Sequence, residues 1–320
     1  MRYIDVFNGD ADGICALVQL RRHEPYDAKL VTGIKRDINL LSQVDASAGD
    51  FITVFDISLE KNVVDVKRLL DTGAEIFYAD HHNTGEVIQH ERLTTHIDLA
   101  ATTCTSLIIN NYLQGRYYAW AITAAFGDNL TAVATQLAKD HGLNDKETRA
   151  LQELGTYLNY NGYGASVDDL FFHPAELYRQ CVEFDTPFEF MAQNPSVFNT
   201  LAQGYQQDMA LAEMVIACHA SENTTVIQLP NEKWARRVSG VYGNELANRY
   251  PDRAHAIVTE KDVDHYLVSV RAPLNRRTGA DVVVSQFPTG GGRKAAAGIN
   301  ALPKHQLDDF IVALERQYYR

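Results

Sequence analysis

Short apolar runs alternate with helical patterns of hydrophobic positions over the first 80 residues. Runs rich in β-branched and aromatic residues predict strands at 3–7, 29–33, 51–55 and 76–79, and helical spacing predicts helices at 14–20 and about 61–70. Strands that alternate with helices favour a parallel sheet covered by helices. In such a sheet ligands bind beyond the carboxyl ends of the strands, so the residues that follow each strand are the first candidates for a site.

The pattern becomes mostly helical after residue 100 and returns to strands in the last third of the chain. Two mostly buried helices are predicted at about 101–113 and 117–126, and irregular helical sequence with a loop at 159–164 continues to about residue 184. Thr186-Pro187 and Asn194-Pro195 predict a junction, because proline restricts the residue before it and tends to end helices. A bridging helix at about 197–218 follows, then strands at 225–229, 254–258 and 266–270 and a last helix at about 306–318.

We therefore expect an α/β protein of two domains. The predicted boundaries are an N-terminal parallel-sheet domain over residues 1–186, a linker with a bridging helix over residues 187–221, and a smaller C-terminal α/β domain over residues 222–320.

The composition is that of a globular protein with a sizeable core. Of the 320 residues, 46% are hydrophobic and 22% are charged, which excludes a largely disordered chain. The formal net charge of -12 repels a long polyanion, so long duplex nucleic acid is a poor candidate partner.

Targeting signals and redox motifs are not evident in the sequence. No apolar run approaches the roughly 18 residues that a membrane-spanning helix needs, and Asp5 interrupts the segment where a signal peptide is apolar. We expect a soluble, cytoplasmic protein without a membrane partner. The four cysteines form no C-x-x-C pair and are interpreted as reduced core thiols: Cys15, Cys104, Cys181 and Cys218. A homodimer is left open.

Acidic and histidine residues follow the predicted strands and one helix. They are Asp10, Asp12, Asp56, Asp80, His81, His82 and Asp128. Each one alone fits a turn or a helix cap, and for an isolated Asp-x-Asp-Gly the cap is the better interpretation. Together they lie where an α/β sheet presents its ligand-binding edge, and several anionic oxygens are what a divalent cation needs.

These motifs, in their order and approximate spacing, resemble those of the DHH phosphoesterase family. The N-terminal matches are Asn8-Gly9-Asp10-Ala11-Asp12-Gly13, Asp56, Asp80-His81-His82 and Asp128, and the C-terminal ones are Ser269-Val270-Arg271, Asp281 and residues 290–298. The resemblance covers nearly the whole chain. It implies a DHH catalytic domain followed by a DHH-associated substrate-binding domain, with the active site in the cleft between them.

The resemblance also implies a role for each matched residue. Two manganese ions would be bridged by Asp56 and a hydroxide, with Asp10 on one ion and with Asp12, His81 and Asp128 on the other. Magnesium or cobalt are alternatives to manganese. Asp80 would orient a histidine, and His82 would contact the scissile phosphate. Many family members have a histidine where this chain has Asn8, which leaves the role of Asn8 open.

The C-terminal motif is the predicted substrate-binding part. A glycine run permits close approach of the backbone to a phosphate, and neighbouring basic residues add positive charge. The predicted set is Arg271, Gly290, Gly291, Gly292, Arg293 and Lys294. Taken alone, the glycine run fits a flexible turn and Arg271 fits a surface salt bridge.

The function that this resemblance implies is a manganese-dependent phosphodiesterase of the nanoRNase or oligoribonuclease type. We expect it to hydrolyse short RNA or a linear dinucleotide such as pGpG to mononucleotides, because an acidic protein suits a small substrate better than a long strand. Two alternatives remain: a phosphatase for a nucleotide such as pAp, and a catalytically inert nucleotide-binding sensor.

Overall fold

In the computed structural model, which describes residues 1 to 319, the chain divides into two units, Met1–Gly204 and Tyr205–Arg320. The division falls inside the segment 187–221 that the sequence predicts as linker and bridging helix. The predicted α/β class is confirmed in both units. The domain boundaries derived from the sequence stay a prediction.

The first unit is built on a five-stranded parallel sheet with the strand order β2-β1-β3-β4-β5. Its strands are β1 (Tyr3–Phe7), β2 (Ala28–Thr32), β3 (Phe51–Phe55), β4 (Glu75–Asp80) and β5 (Leu93–Ile97). Nearly every residue of β1 and β3 is buried, which agrees with their continuous apolar sequence.

The first unit also contains α-helices. They are α1 (Ala11–His23), α2 (Leu59–Asp71), α3 (Thr105–Tyr112), α4 (Tyr118–Gly127), α5 (Thr131–Asp140), α6 (Asp145–Asn161), α7 (Pro174–Val182) and α8 (Pro187–Gln193), and α9 (Pro195–Glu213) crosses the division between the units. The apolar side of α2 packs with β1, β3 and β4 in one core cluster, and α4 and α5 share a second cluster.

The register of the sheet brings three strand ends to the same level. Phe7 at the end of β1 pairs with Phe55 of β3, and Phe55 pairs with Ala79 of β4. Just past the strands, the amide of Asn8 donates to the carbonyl of Phe55 at 3.2 Å, and the amide of Asp56 donates to the carbonyl of Ala79 at 3.1 Å. The residues that follow β1, β3 and β4 are therefore neighbours.

The second unit contains a six-stranded mixed sheet with the order β10-β11-β9-β8-β7-β6. Its strands are β6 (His219–Ala220), β7 (Thr224–Leu229), β8 (Ala254–Glu260), β9 (His265–Arg271), β10 (Gly290–Gly292) and β11 (Ala296–Pro303). Its helices are α10 (Lys233–Arg249), α11 (Ala280–Val284) and α12 (Leu307–Tyr318). Phe310 and Leu314 of α12 are buried in the core of this unit, as their helical spacing predicts.

Some local expectations were wrong. The predicted loop at 159–164 starts inside α6, which ends at Asn161, and Tyr160 is buried in the core. In the second unit, Arg237 is buried and paired with Asp208, its Nε lying 2.6 Å from Oδ2. None of the described helices has the length and apolar character to span a bilayer.

Candidate functional site

The candidate site lies at the edge of the parallel sheet where the strand order reverses. β1 has β2 on one side and β3 on the other, so the connections that leave β1 and β3 diverge at this point. Open α/β sheets bind their ligands at such a position, beyond the carboxyl ends of the strands. Asp10 and Asp12 follow β1, Asp56 follows β3, and Asp80 ends β4.

Asp10 is the N-cap of α1. Its Oδ1 accepts hydrogen bonds from the amides of Asp12 at 3.0 Å and Gly13 at 3.2 Å, which satisfies two amides that the first helical turn leaves free. Gly13 is required there because a Cβ atom would lie 2.3 Å from the carbonyl oxygen of Asn8. For the Asp-x-Asp-Gly motif alone, the sequence favours a helix cap, and this cap is present in the structure.

The other oxygen of Asp10 binds a lysine. Nζ of Lys35 lies 2.5 Å from Oδ2 of Asp10 and 2.9 Å from Oδ1 of Asn159. Burial raises the pKa of the Asp10 carboxyl, but the Lys35 ammonium and the hydrogen bonds with the Gly13 amide and Asp56 together lower it, so that the pKa lies below its usual value. Asp10 is therefore an ion-paired carboxylate.

Asp12 is buried and holds the start of α3. Its two carboxylate oxygens accept from the amides of Thr105 and Ser106, each at 2.7 Å. These donors are neutral amides at a helix N-terminus, where a negative charge is favoured. Since a carboxylate has about four lone-pair sites, Asp12 keeps capacity for a cation.

Asp56 lies in the left-handed backbone region, with φ of 59°. A residue other than glycine seldom adopts that conformation, and such strain is common at binding and catalytic positions. Burial, followed by the charges of neighbouring carboxylates, raises the pKa of Asp56 well above its usual value. A cation placed among these carboxylates would relieve that repulsion.

His81 directs one nitrogen into the carboxylates. Its Nδ1 lies 3.1 Å from the carbonyl oxygen of Thr103, which can only accept, so Nδ1 carries the hydrogen. Nε2 lies 3.5 Å from Oδ1 of Asp56 and 3.8 Å from the nearest oxygens of Asp12 and Asp128. A carbonyl partner on the far nitrogen is the usual way in which a metal-binding histidine is oriented.

Asp128 is the C-cap residue of α4 and completes the group of acidic side chains around His81. Burial and the charges of Asp12 and Asp10 raise the pKa of Asp128 to about 7, although Lys35 and His81 act in the opposite direction. The Asp128 carboxyl therefore keeps its proton to a higher pH than an ordinary aspartate, unless a nearby cation stabilises the negative charge.

Two overlapping groups of ligand atoms have the proximity that a metal ion requires. One is Asp12, His81 and Asp128, and the other is Asp56, His81 and His82, with the ligand atoms of each group within 4.8 Å of one another. A cavity of about 140 Å³ lies beside these groups, and its walls include Asn8, Asp10, Lys35, Asp56, His81 and Asp128. Oxygen donors with an imidazole fit manganese, so the residues present suit the predicted metal.

The predicted residues of the second unit are engaged in different ways. The guanidinium of Arg271 donates to Oδ1 of Asn244 at 2.6 Å and to the carbonyl of Gly240 at 3.2 Å, which fixes it against α10. Arg293 and Lys294 are exposed. Arg271 therefore has a structural role within its unit, whatever it binds.

The glycine run is an edge strand, β10, and its three members are not equivalent. A Cβ atom at Gly290 would lie 1.8 Å from the carbonyl oxygen of Val284, and Gly292 has φ of 144°. Gly291 is exposed and has open space around its Cβ position. Packing accounts for Gly290 and Gly292, and Gly291 is the member of the run that this packing leaves unexplained.

Sequence reasoning missed two contributors to the site. Lys35 lies in the segment after β2, outside every strand-end motif that drew attention. Thr105, whose Oγ1 donates to Oδ1 of Asp56 at 3.3 Å, carries no signal of its own. The feature that indicates a role for Lys35 in the site is the sheet order, which places the carboxyl end of β2 beside that of β1.

No family model matches the chain, and no curated protein matches it. Solved structures do. An exonuclease RecJ bound to manganese is 15% identical and superposes with a TM-score of 0.66, over 100% of this chain and 90% of that one. The DHH domain of a member of the s1p family of ribosomal proteins is 14% identical with a TM-score of 0.61, over 98% and 86%.

The chain has the fold of the DHH-domain proteins. A third structure of this kind, the pGpG-specific phosphodiesterase PggH from Vibrio cholerae, is 15% identical with a TM-score of 0.59, and the match covers 99% of both chains. The DHH fold extends over both units, as the sequence resemblance implies. At these identities the likeness concerns the fold, and the chemistry has to be argued from the site.

Proposed function

We propose that the protein is a manganese-dependent phosphodiesterase that hydrolyses short oligonucleotides or linear dinucleotides to mononucleotides. The observation that carries the proposal is the convergence of His81 Nε2 with the carboxylates of Asp12, Asp56 and Asp128. These groups come from four separate parts of the sequence. Four residues that served only as caps or turns in separate parts of the chain would not be expected to lie this close together.

The chemistry of these donors supports metal-assisted hydrolysis. A divalent cation bound there would lower the pKa of a water molecule and neutralise charge that develops on phosphorus oxygens. Asp12, Asp56, His81 and Asp128 would hold it. The resemblance predicts two ions.

His82 is proposed to contact the phosphate. Its ring lines the cavity, and its Nδ1 lies 2.7 Å from Oδ1 of the buried Asp80. That hydrogen bond raises the pKa of His82, against the opposing effect of burial, so the imidazole favours the protonated form more than an ordinary histidine does. A protonated imidazole is a donor suited to a phosphate oxygen.

A short substrate is supported by charge and by one of the structural neighbours. The net charge of -12 is unfavourable for tracking a long strand. PggH, whose described activity is on pGpG, matches this chain over 99% of both. We propose that Arg271 and the segment from Gly290 to Lys294 contribute to substrate binding in the second unit.

A panel of substrates tests the proposal. Purified protein with Mn²⁺ is given pGpG, RNAs of increasing length, a cyclic dinucleotide and pAp, and products are separated by chromatography. We expect rates that are highest for two-residue substrates and that EDTA abolishes. Faster hydrolysis of pAp would favour the phosphatase, and no hydrolysis of any member would favour the inert sensor.

A matched variant shows that the activity belongs to this site. Asp56→Asn keeps the size of the side chain, and asparagine is among the residues that tolerate the left-handed backbone of this position. We expect this variant to fold and to lose at least about 10²-fold in rate, since a ligand charge is removed. A normal rate in Asp56→Asn would reject the site.

A further inference from the structure

Lys35 places a fixed positive charge inside the candidate metal site. Its Nζ lies 2.5 Å from Oδ2 of Asp10 and 3.9 Å from Oδ1 of Asp128. Its side chain is 27% exposed and lines the same cavity as Asp56 and His81. This ammonium therefore belongs to the site and is not a solvated surface group.

The chain holds Lys35 in this position at several points. The backbone amide of Lys35 donates to the carbonyl of Gly162 at 2.8 Å, and its carbonyl accepts from Nδ2 of Asn8 at 3.3 Å. Nζ also donates to Oδ1 of Asn159 at 2.9 Å. Asn8, whose role the sequence left open, thus supports the segment that delivers the lysine.

Asp10 and Asp12 differ in what their carboxylates bind. Asp12 accepts from two neutral amides. Asp10 accepts from two amides on one oxygen and from the Lys35 ammonium on the other. A divalent cation on Asp10 would lie beside that ammonium and be repelled by it, whereas a cation on Asp12 would not have a cationic neighbour at hydrogen-bonding distance.

The arrangement of ligand atoms agrees with this difference. Both groups that could hold an ion include His81, and neither includes Asp10. Within residues 1–319, Oδ1 of the buried Asn8 has no hydrogen-bond partner, so it does not accept from the Lys35 ammonium. The residues present fit an ion among Asp12, Asp56, His81 and Asp128, and they do not fit a second ion on Asp10.

We propose that this site holds one divalent ion, and that the ammonium of Lys35 supplies the second positive charge, next to Asp10. The inference rests on the proposed function only in requiring a divalent ion at this site. The ammonium is covalently part of the chain and faces the cavity, so it can also stabilise a phosphate oxygen bound there.

The number of bound ions tests the inference. Wild-type protein, Lys35→Met and Lys29→Met are saturated with Mn²⁺ without substrate, separated from free metal and assayed by mass spectrometry of the element. Lys29, exposed on β2, is the matched control. We expect one ion per chain in wild type and Lys29→Met and two in Lys35→Met, where Asp10 is freed. Two ions in wild type, or one in Lys35→Met, would overturn the inference.

A spectroscopic measurement on the wild type makes the result independent of whether Lys35→Met folds. Two Mn²⁺ ions about 3.5–4 Å apart are magnetically coupled, and a single ion is not. We expect the electron paramagnetic resonance spectrum of an isolated Mn²⁺, and a coupled spectrum would contradict the inference. Neither measurement needs turnover, so a protein that binds one ion yet hydrolyses nothing would reject the proposed function alone.

Discussion

Oδ1 of Asp80 lies 2.7 Å from Nδ1 of His82, so that a fully buried carboxylate holds a half-exposed imidazole. A carboxylate at neutral pH only accepts, so Nδ1 carries the hydrogen and Nε2 is left for a ligand in the cavity. The second oxygen of Asp80 has no partner among residues 1–319. The sequence resemblance predicts that Asp80 orients a histidine, and His82 is the histidine that Asp80 contacts.

Replacing Asp80 by asparagine should lower the pKa of His82. The hydrogen bond to Asp80 is the largest of the effects that raise this pKa, so its loss lets His82 release its proton at a lower pH. We expect the imidazole titration of metal-free Asp80→Asn, followed by NMR, to shift to lower pH than in wild type. The alkaline limb of the rate profile with pGpG should move in the same direction.

Asp98→Asn is the control for that experiment. Asp98 is an exposed acidic residue that follows β5. Its replacement should leave the pKa of His82 unchanged. An unchanged titration in Asp80→Asn itself would remove the assigned role of Asp80.

Replacing His81 by alanine should weaken the binding of manganese. Nε2 of His81 takes part in both groups of ligand atoms, so its loss removes a donor that no other residue duplicates in them. We expect Mn²⁺ affinity, measured by calorimetry, to fall at least about 10-fold and the rate with pGpG at least about 10²-fold. His305→Ala, at an exposed position, should bind Mn²⁺ as wild type does.

Much of the first unit could be predicted from the sequence because its strands are short continuous apolar runs. β1 and β3 were predicted at their observed bounds, and the acidic residues after them follow from the rule that parallel strands end at one edge. β5 was not predicted, since its sequence is mainly polar and it lies at the edge of the sheet.

Other features depend on contacts that a linear pattern does not contain. α10 was not predicted, because its buried positions are interrupted by Arg237, Ser239 and Gly243 among apolar residues. Lys35 meets Asp10 across 25 residues of sequence. Identifying that contact requires the sheet order, which places β2 beside β1.

Metal-free protein should lose stability as the pH rises from about 4 to about 7. The pKa of Asp128 is raised to about 7 in the folded chain from a usual value of 3.8, so in this window the folded state holds a proton that the unfolded state has released. Stability then falls with rising pH. We expect a falling Tm in calorimetric scans, and a stabilisation by Mn²⁺ that grows with pH, because the metal replaces that proton.

Asp128→Asn provides the comparison for the pH series. Asparagine carries no titrating proton, so the decline of Tm between about pH 4 and about pH 7 should be shallower than in the wild type. A wild-type Tm that is constant or rises over this range in the absence of metal would contradict the electrostatic account of the site.

Two adjacent arginines of α1 offer a test of buried against exposed ion pairs. Arg21 and Asp5 are both buried, and the guanidinium donates to both oxygens of Asp5, at 2.8 and 2.5 Å. Asp5→Ala leaves that guanidinium buried and without its anion, so we expect a loss of about 3–5 kcal/mol in the free energy of unfolding. Denaturant titration measures it.

The neighbouring pair is the control. Arg22 binds Asp185, whose side chain is 58% exposed. Solvent screens such a pair, and Asp185→Ala should cost less than about 1 kcal/mol. Equal losses for Asp5→Ala and Asp185→Ala would show that burial of the Arg21 pair has no energetic importance.

Alanine at Gly290 and at Gly291 should separate folding from substrate binding in the second unit. A Cβ at Gly290 would meet the carbonyl oxygen of Val284, which is backbone and cannot rotate away, so we expect a loss of about 1–3 kcal/mol in stability. Gly291 has open space, and Gly291→Ala should change the free energy of unfolding by less than about 0.5 kcal/mol. Thermal denaturation compares the two variants.

The same pair then examines the proposed role of the glycine run. If a phosphate approaches the backbone at Gly291, the added methyl group obstructs it, and Gly291→Ala should raise KM for pGpG several-fold while the Tm stays at the wild-type value. Lys261→Ala, at an exposed position in the turn between β8 and β9, should leave both quantities unchanged. A wild-type KM in Gly291→Ala would remove Gly291 from the substrate site, and packing would then explain Gly290 and Gly292 only.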